Sequence, residues 1–397
     1  MEAMIRRVIC KGFRSIPKGV VDFSNPTFLV GKNGSGKSNF ADAFAFLGEA
    51  MASPLQAVFD RRGGISVVRN RPAGQSRPPN LGLGVIFNSL NGLMHSGRYA
   101  FEVKAIENHG FEVVREQCVV VTADGGRYWF DRHNGQFKSS FDGFVPSLEP
   151  TLLVLPVVAG EARFAPAMKA LSSMRVYKIE PAKLRDMQDP DGGITLRSDG
   201  SNAASVLQEI ERHPSEHERI EEILASIVPN TRNVQTVKHG NKLALKFTQE
   251  WGGKRKLSFE SYSMSDGTLR VLGLLLAVFQ KPKPSLILLE EPESTIHPGA
   301  LGAVLDLIRH AGKFMQVIVT THSPELLDAE WIEDENIRIA TWSSGQTHIS
   351  PLSASSRQAL RTHLMGAGEL FRSNALDADW TLFDDKVEQA HLFEDLI

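Results

Sequence analysis

A chain of 397 residues, 42% of them apolar, can bury a large core as one big domain or as two or three ordinary ones, and is expected to be a folded, soluble protein. Its 44 basic and 46 acidic side chains nearly cancel, which excludes a global field drawing the chain onto nucleic acid or an anionic membrane; any such contact must come from a local patch. Two cysteines, Cys10 and Cys118, are too few for a disulfide framework or a cysteine-ligated zinc site.

The amino-terminal stretch MEAMIRRVICKGF has no apolar run resembling a signal peptide. MIRRVICKGF and PTFLV read as strands, and the pattern turns helical at KSNFADAFAFLGEAM. Residues 60–80, rich in Arg, Gly and Pro, read as loop. From 81 to 138 short β-rich segments alternate with turns, as in an antiparallel meander. Helices are expected at roughly 162–173 and 203–227, the second introduced by the capping residues of SDGSN. Strand-like runs near 233 and 243 precede an apolar helix at about 267–280, the strand SLILL, another helix, the strand QVIVTTH and a strand near 336–342. Strands separated by helices imply a parallel sheet covered on both faces. The greasiest segment, VLGLLLAVF at 271–279, is half a membrane span, so the expected location is the cytoplasm, with no membrane partner. The segment Leu376–Ile397 carries seven acids and one lysine among scattered aromatics and reads as a docking segment or a solvated end.

Gly31, Gly36, Lys37 and Ser38 complete the pattern G-x-x-x-x-G-K-[ST] between a strand and a helix. Glycines let backbone N–H groups curl around a phosphate, Lys37 adds a point charge toward the β and γ phosphates, and Ser38 offers a hydroxyl to Mg²⁺ at a positive helix terminus. Asn33, Gly34 and Asn39 belong to the same expected nucleotide contact. This loop alone does not separate kinases, GTPases, hexameric motors and two-headed clamps.

Further motifs narrow the choice. SLILLEEPE at 285–293 is an apolar strand ending in paired carboxylates: Glu290 would hold the metal's water shell and Glu291 would orient and deprotonate the attacking water. The bland alternative is a charged turn after a buried strand. VIVTTHSPELL ends another strand at His322, placed to sense the γ phosphate or support the water, although a lone histidine there is more usually structural. In SMSDGTLRVLGLLLAVF at 263–279, Ser265, Asp266 and Gly267 begin a helix and give a second phosphate cradle. One glycine loop per chain does not need two cradles, unless the second closes on the nucleotide of a neighbouring copy.

The order of glycine loop, SDGTLR, EEPE and TTHSPE resembles the ATP-binding-cassette (ABC) class of head domains, and specifically the RecF, SMC and overcoming-lysogenization-defect group. VICKGFRSI, SDGSNAASVLQEI, EEPESTIHPGAL and QVIVTTHSPELLD are similar to the compact, stand-alone members found in bacterial anti-phage systems, over roughly residues 1–375. The resemblance implies an α/β P-loop NTPase of the ABC head type, with a mixed sheet, an antiparallel β subdomain and an inserted helical lobe. Lobe I would cover about 1–150 and 281–375, lobe II about 150–280, and an acidic tail 376–397. It implies ATP and Mg²⁺ as ligands, Lys37 and Ser38 serving both, Glu291 as catalytic base, His322 as switch histidine, and Ser265 and Gly267 reaching a γ phosphate across a homodimer or higher even-numbered oligomer. A glutamine loop is expected too, and Gln75 is its candidate, though a glutamine in a polar loop is usually just solvated.

The chain departs from the pattern in having Glu290 where many relatives place Asp, Met264 where leucine is usual, and no aromatic near the amino terminus to stack on adenine. Only about 225 residues separate the glycine loop from SDGTLR, and Pro214 breaks the best helix, so no long coiled arm is expected. DAD at 377–379 superficially matches a nuclease D-x-D but follows no convincing buried strand; any nuclease would be a separate effector protein. Arg61, Arg62, Arg69, Arg71 and Arg77 form the local basic concentration. They are open to a DNA contact, to a role in a neighbouring nucleotide site, or to being a salt-bridged loop; Arg14 in GFRS is a further candidate for phosphate or DNA. The expected function is an ATPase that drives an effector in anti-phage defence, the alternative a RecF-like DNA-binding repair ATPase.

Overall fold

The computed structural model describes residues 4–71, 78–88, 94–108, 110–141, 146, 149–228, 230–251 and 255–396. Its strands are β1 (Ile5–Phe13), β2 (Ile16–Asp22), β3 (Thr27–Val30), β4 (Asn80–Asn88), β5 (Met94–Ala105), β6 (Phe111–Thr122), β7 (Arg127–His133), β8 (Gln136–Ser139), β9 (Arg175–Tyr177), β10 (Thr231–His239), β11 (Lys242–Trp251), β12 (Arg255–Glu260), β13 (Leu286–Glu290), β14 (Gln316–Thr321), β15 (Ile337–Ser343) and β16 (Gln346–Ser350). Two compact units divide the chain: Met1–Met174 with Glu333–Gly366 and Leu370–Ile397, and Arg175–Ile332 with Ala367–Glu369. No helix among the described residues is long and apolar enough to cross a membrane.

In the first unit β2-β1-β4-β5-β6-β7-β8 form an antiparallel sheet, the expected meander extended by the β1–β2 hairpin. The helix Lys37–Ala52 carries apolar residues at 40, 44, 47 and 51 and again at 43, 46 and 50, and so is buried over most of its circumference. Its Phe46 meets Phe13 at 5.6 Å and Phe59 at 5.1 Å between ring centroids, tying helix to sheet. Glu116 of β6 is buried, accepting from Tyr99 Oη and from the N–H groups of Val154 and Leu155, and burial pushes its carboxyl up to about 7. β15 pairs with β3 in parallel and with β16 antiparallel. The segment 60–80, read as loop, includes the short helix Ile65–Val68.

The acidic segment after 376 docks on the first sheet. Asp379 caps the helix Trp380–Gln389 by accepting from Leu382 N, and pairs with Arg357 at 3.1 Å, so the second acid of DAD serves local structure. Lys386 pairs with Asp22 at 2.6 Å, and Gln117 exchanges two hydrogen bonds with the backbone of Glu394. Between these anchors Leu392, 9% exposed, packs with Ile9, Val20 and Ala100. It fits because β4 has no side chain there: a Cβ on Gly82 would lie 2.4 Å from Leu392 Cδ2, and one on Gly84 3.0 Å from Cδ1.

In the second unit β9-β13-β14 are parallel and β10-β11-β12 antiparallel. The segment 203–227 holds two helices, Ala203–Ile210 and Pro214–Ile227, because Pro214 has no N–H to continue the first and suits the first turn of the second. Asn202 sits at the N-cap position without a side-chain cap; its Oδ1 accepts from Arg197 N instead. Asp266–Phe279 is apolar all round from Val271 onward and is buried there along its whole length.

Leu392→Ala is expected to lower the stability of the first unit by about 2–5 kcal/mol, the usual range for a buried leucine, read as a shift in the urea midpoint. An unchanged midpoint would mean that the segment adds nothing to the fold.

Candidate active site

The glycine loop lies in the first unit. β3 is buried throughout and delivers Gly31, whose Cα sits so close to neighbouring chain that a Cβ would lie 2.4 Å from Ala340 O and 2.6 Å from Ser35 Oγ. Gly34 and Gly36 have φ of 79° and 92°, the left-handed region that favours glycine. A Cβ on Gly36 would also lie 1.8 Å from Thr347 Oγ1. Lys37, 5% exposed, curls back so that Nζ donates to Gly31 O at 2.7 Å and Lys32 O at 3.1 Å. Ser35 Oγ is buried without a hydrogen-bond partner. Gly36 caps the helix Lys37–Ala52 with no side chain, so its first-turn N–H groups are not covered by a side-chain cap, and Ser38 is exposed there beside exposed Asn33 and Gly34. Ammonium, hydroxyls and open backbone N–H groups at the start of a 16-residue helix are the donor set a polyphosphate takes. Asn39 points elsewhere: its amide donates to Ser15 Oγ at 2.6 Å, which is 2.7 Å from Thr347 Oγ1.

The acidic strand lies in the second unit. Glu290 ends β13 half-buried, and Glu291 follows with φ of 45°, a conformation that costs a non-glycine residue roughly 1–2 kcal/mol. The Glu291 N–H donates to Thr320 O at 3.0 Å, which holds this turn and aims the two adjacent carboxylates differently. Glu291 Oε1 lies 3.3 Å from His322 Nδ1, within ion-pair distance but not aligned as a hydrogen bond.

Glu293 was not singled out in the sequence, where the only signal was a third acid in EEPE. It is 8% exposed, accepts from Thr321 Oγ1 at 2.6 Å and from His322 N at 3.4 Å, and stands 4.0 Å from His322 Nδ1. Burial pushes its carboxyl above the usual range, and its Oε2 has no hydrogen-bond partner. Glu293 thus fixes the backbone that carries His322.

Ser265 caps the helix Asp266–Phe279, accepting from Thr268 N at 3.2 Å, while Asp266 pairs with Arg185 at 2.5 Å. Gly267 touches the turn after the acidic strand, where a Cβ would lie 2.8 Å from Thr295 O. A cleft of about 390 Å³ results, bordered by Lys178, Arg185, Asp266, Arg270, Glu290 and Glu291. The second unit therefore brings SDGTLR and the acidic pair to one cleft.

Gln75 and Arg77 lie outside the described residues. Arg62, its side chain 8% exposed, pairs with Asp42 and Glu49, and Arg61 with Glu49; Arg14, at φ 46°, pairs with Asp42. Arg69 donates to Pro78 O. Internal ion pairs thus hold much of this basic segment.

The fold is one that the chain shares with solved Smc heads. The chain belongs to the family described as "AAA domain, putative AbiEii toxin, Type IV TA system", whose model matches residues 27–328. A crystal structure of an Smc head bound to the C-winged helix domain of ScpA is 18% identical, with a TM-score of 0.55 over 89% of this chain and 99% of that one. An Smc head with an extended coiled coil, bound to the C-terminal domain of ScpA and derived from Pyrococcus furiosus, is 16% identical, with a TM-score of 0.56 over 91% and 99%. No curated protein matches the chain.

Glu293→Ala should cost about 1–3 kcal/mol, because Thr321 is left with a buried hydroxyl and His322 with an unanchored N–H. Chemical denaturation of the variant beside Glu293→Gln, which keeps an acceptor, measures it; equal loss in both would remove the acceptor role.

Proposed function

We propose that this protein hydrolyses ATP to ADP and phosphate with Mg²⁺, in a homodimer or higher even-numbered oligomer joined through its ATP sites. The reading is carried by one observation: a single chain holds two glycine-bearing helix starts, Gly36–Ser38 and Ser265–Gly267. Asn33, Gly34, Gly36, Lys37 and Ser38 take the phosphates of one nucleotide, while Ser265 and Gly267 take the γ phosphate bound by a neighbouring copy. Mg²⁺, when bound, neutralises charge between the phosphates. Ser38 and Glu290 would hold that ion, with Gln75 as a further ligand, a set of few protein oxygens in keeping with this ion's preference for phosphate and water. Glu291 accepts the proton of the attacking water, and His322, held by Glu293, stays within reach of Glu291 to keep that carboxylate oriented. Residues of about 1–150 and 281–375 act as the nucleotide lobe and about 150–280 as the signature lobe. The output is control of a separate effector, such as a nuclease, in bacterial anti-phage defence in the cytoplasm. The RecF-like alternative leans on a basic segment whose Arg62 is already paired inward.

Glu291→Gln is expected to bind ATP as the parent does and to hydrolyse it roughly 10²- to 10⁴-fold more slowly, the usual weight of a general base; equal phosphate release would remove Glu291 from that role. Lys37→Ala and Ser265→Arg proteins, each inactive alone, should regain hydrolysis when mixed, since each lends its intact half-site. Mixed dimers with no activity would argue for sites complete within one chain.

A further inference from the structure

The first unit carries an aromatic surface that the phosphate contacts leave unused. β15 and β16 are joined by Ser344 and Gly345, with φ of 51° and 78°, the two-residue turn whose left-handed backbone matches strand twist. That turn fixes the register, pairing Ser343 with Gln346, Trp342 with Thr347 and Thr341 with His348. Directly paired residues of an antiparallel ladder project to the same face, so the hairpin has two distinct sides. One carries Thr341 and His348, and His348 is packed by Trp380 and Phe383 at 5.5 and 5.2 Å between rings. The other carries Thr347, which presses on Gly36 and bonds Ser15, and with it Trp342.

We infer that Trp342 is the stacking platform for the nucleobase of the nucleotide whose phosphates the glycine loop holds. This rests on the phosphate role proposed for that loop. Thr347 is fully buried against the loop, whereas its cross-strand partner Trp342 is 52% exposed, and no ring contact holds it among the described residues. A large indole left open beside a phosphate cradle offers the flat apolar face that a purine needs, and base–aromatic stacking is indifferent to ring substituents. The lack of an adenine-stacking aromatic near the amino terminus is then met from the opposite end of the chain, by a strand that runs parallel to β3 and continues past Gly31 to Ala340 and beyond. Trp342 acts on the base alone, and the phosphates are left to Lys37 and its loop.

The test measures binding of ATP and of inorganic tripolyphosphate to the full chain by calorimetry, for the parent and for Trp342→Ala, Trp342→Phe and Lys37→Ala. Trp342→Ala is expected to weaken ATP binding about 5- to 150-fold, the range for one stacked base, with tripolyphosphate affinity within twofold of the parent and Trp342→Phe restoring most of the loss. If Trp342→Ala binds ATP as the parent does, or loses tripolyphosphate to the same degree, the stacking role is overturned while the phosphate site stands. If Lys37→Ala leaves both ligands bound normally, the phosphate site itself is overturned, and the stacking role with it.

Discussion

Close approach of neighbouring chain to the glycine loop is the constraint on which the rest of the first unit depends. Gly31 has no room for a side chain against Ala340, and Gly36 has none against Thr347. The backbone of β15 at Ala340 is therefore packed directly on the loop, while β16 meets it through the side chain of Thr347, which also bonds the side chain of Ser15. The loop's curvature comes from left-handed glycines, and its shape is held from outside by the Asn39–Ser15–Thr347 chain of hydrogen bonds. Lys37 satisfies its own loop carbonyls while keeping its charge at the centre of the cradle. A buried ammonium so placed is an anion site by its charge and a stable fold element by its hydrogen bonds.

The second unit solves a different problem, that of aiming adjacent acids. Two neighbouring residues in a regular strand point to opposite faces, and Glu290 keeps that regular direction. Glu291 leaves it by adopting a left-handed backbone that the hydrogen bond to Thr320 O sustains. Glu293 then turns inward and secures the segment bearing His322, at the cost of a buried oxygen without a partner. Strain and an unmet polar atom thus gather within three residues, where chemistry is expected and stability is least well served.

Much of this was legible in the sequence because it is local. The glycine loop, the acidic strand and the Ser265 helix start each announce themselves within ten residues, through glycine, charge and cap chemistry that needs no tertiary partner. The strands β13, β14 and β15 were plain from apolar runs. What stayed hidden depends on distant neighbours. Thr347 and Asn39 look like ordinary polar residues until Ser15, 332 positions from Thr347, brings them together. β12 is exposed along most of its length and β9 spans three residues, so neither carries a periodic signal. Glu293 differs from its neighbours only in burial. The segment after 376, read as a docking segment or a solvated end, packs on the chain's own first sheet, and the features that admit it are Gly82 and Gly84 on a strand about three hundred residues away.

That glycine notch has a consequence for how the chain comes off the ribosome. β1, β2 and β4 are synthesised early, yet Asp22 waits 364 positions for Lys386, and the hollow over Ile9 and Val20 waits for Leu392. Until then an apolar strip of nascent sheet stands open to water. Contacts of such sequence separation form late, because the loop they close must be ordered first. The half-built molecule thus carries open apolar sheet that the finished chain covers.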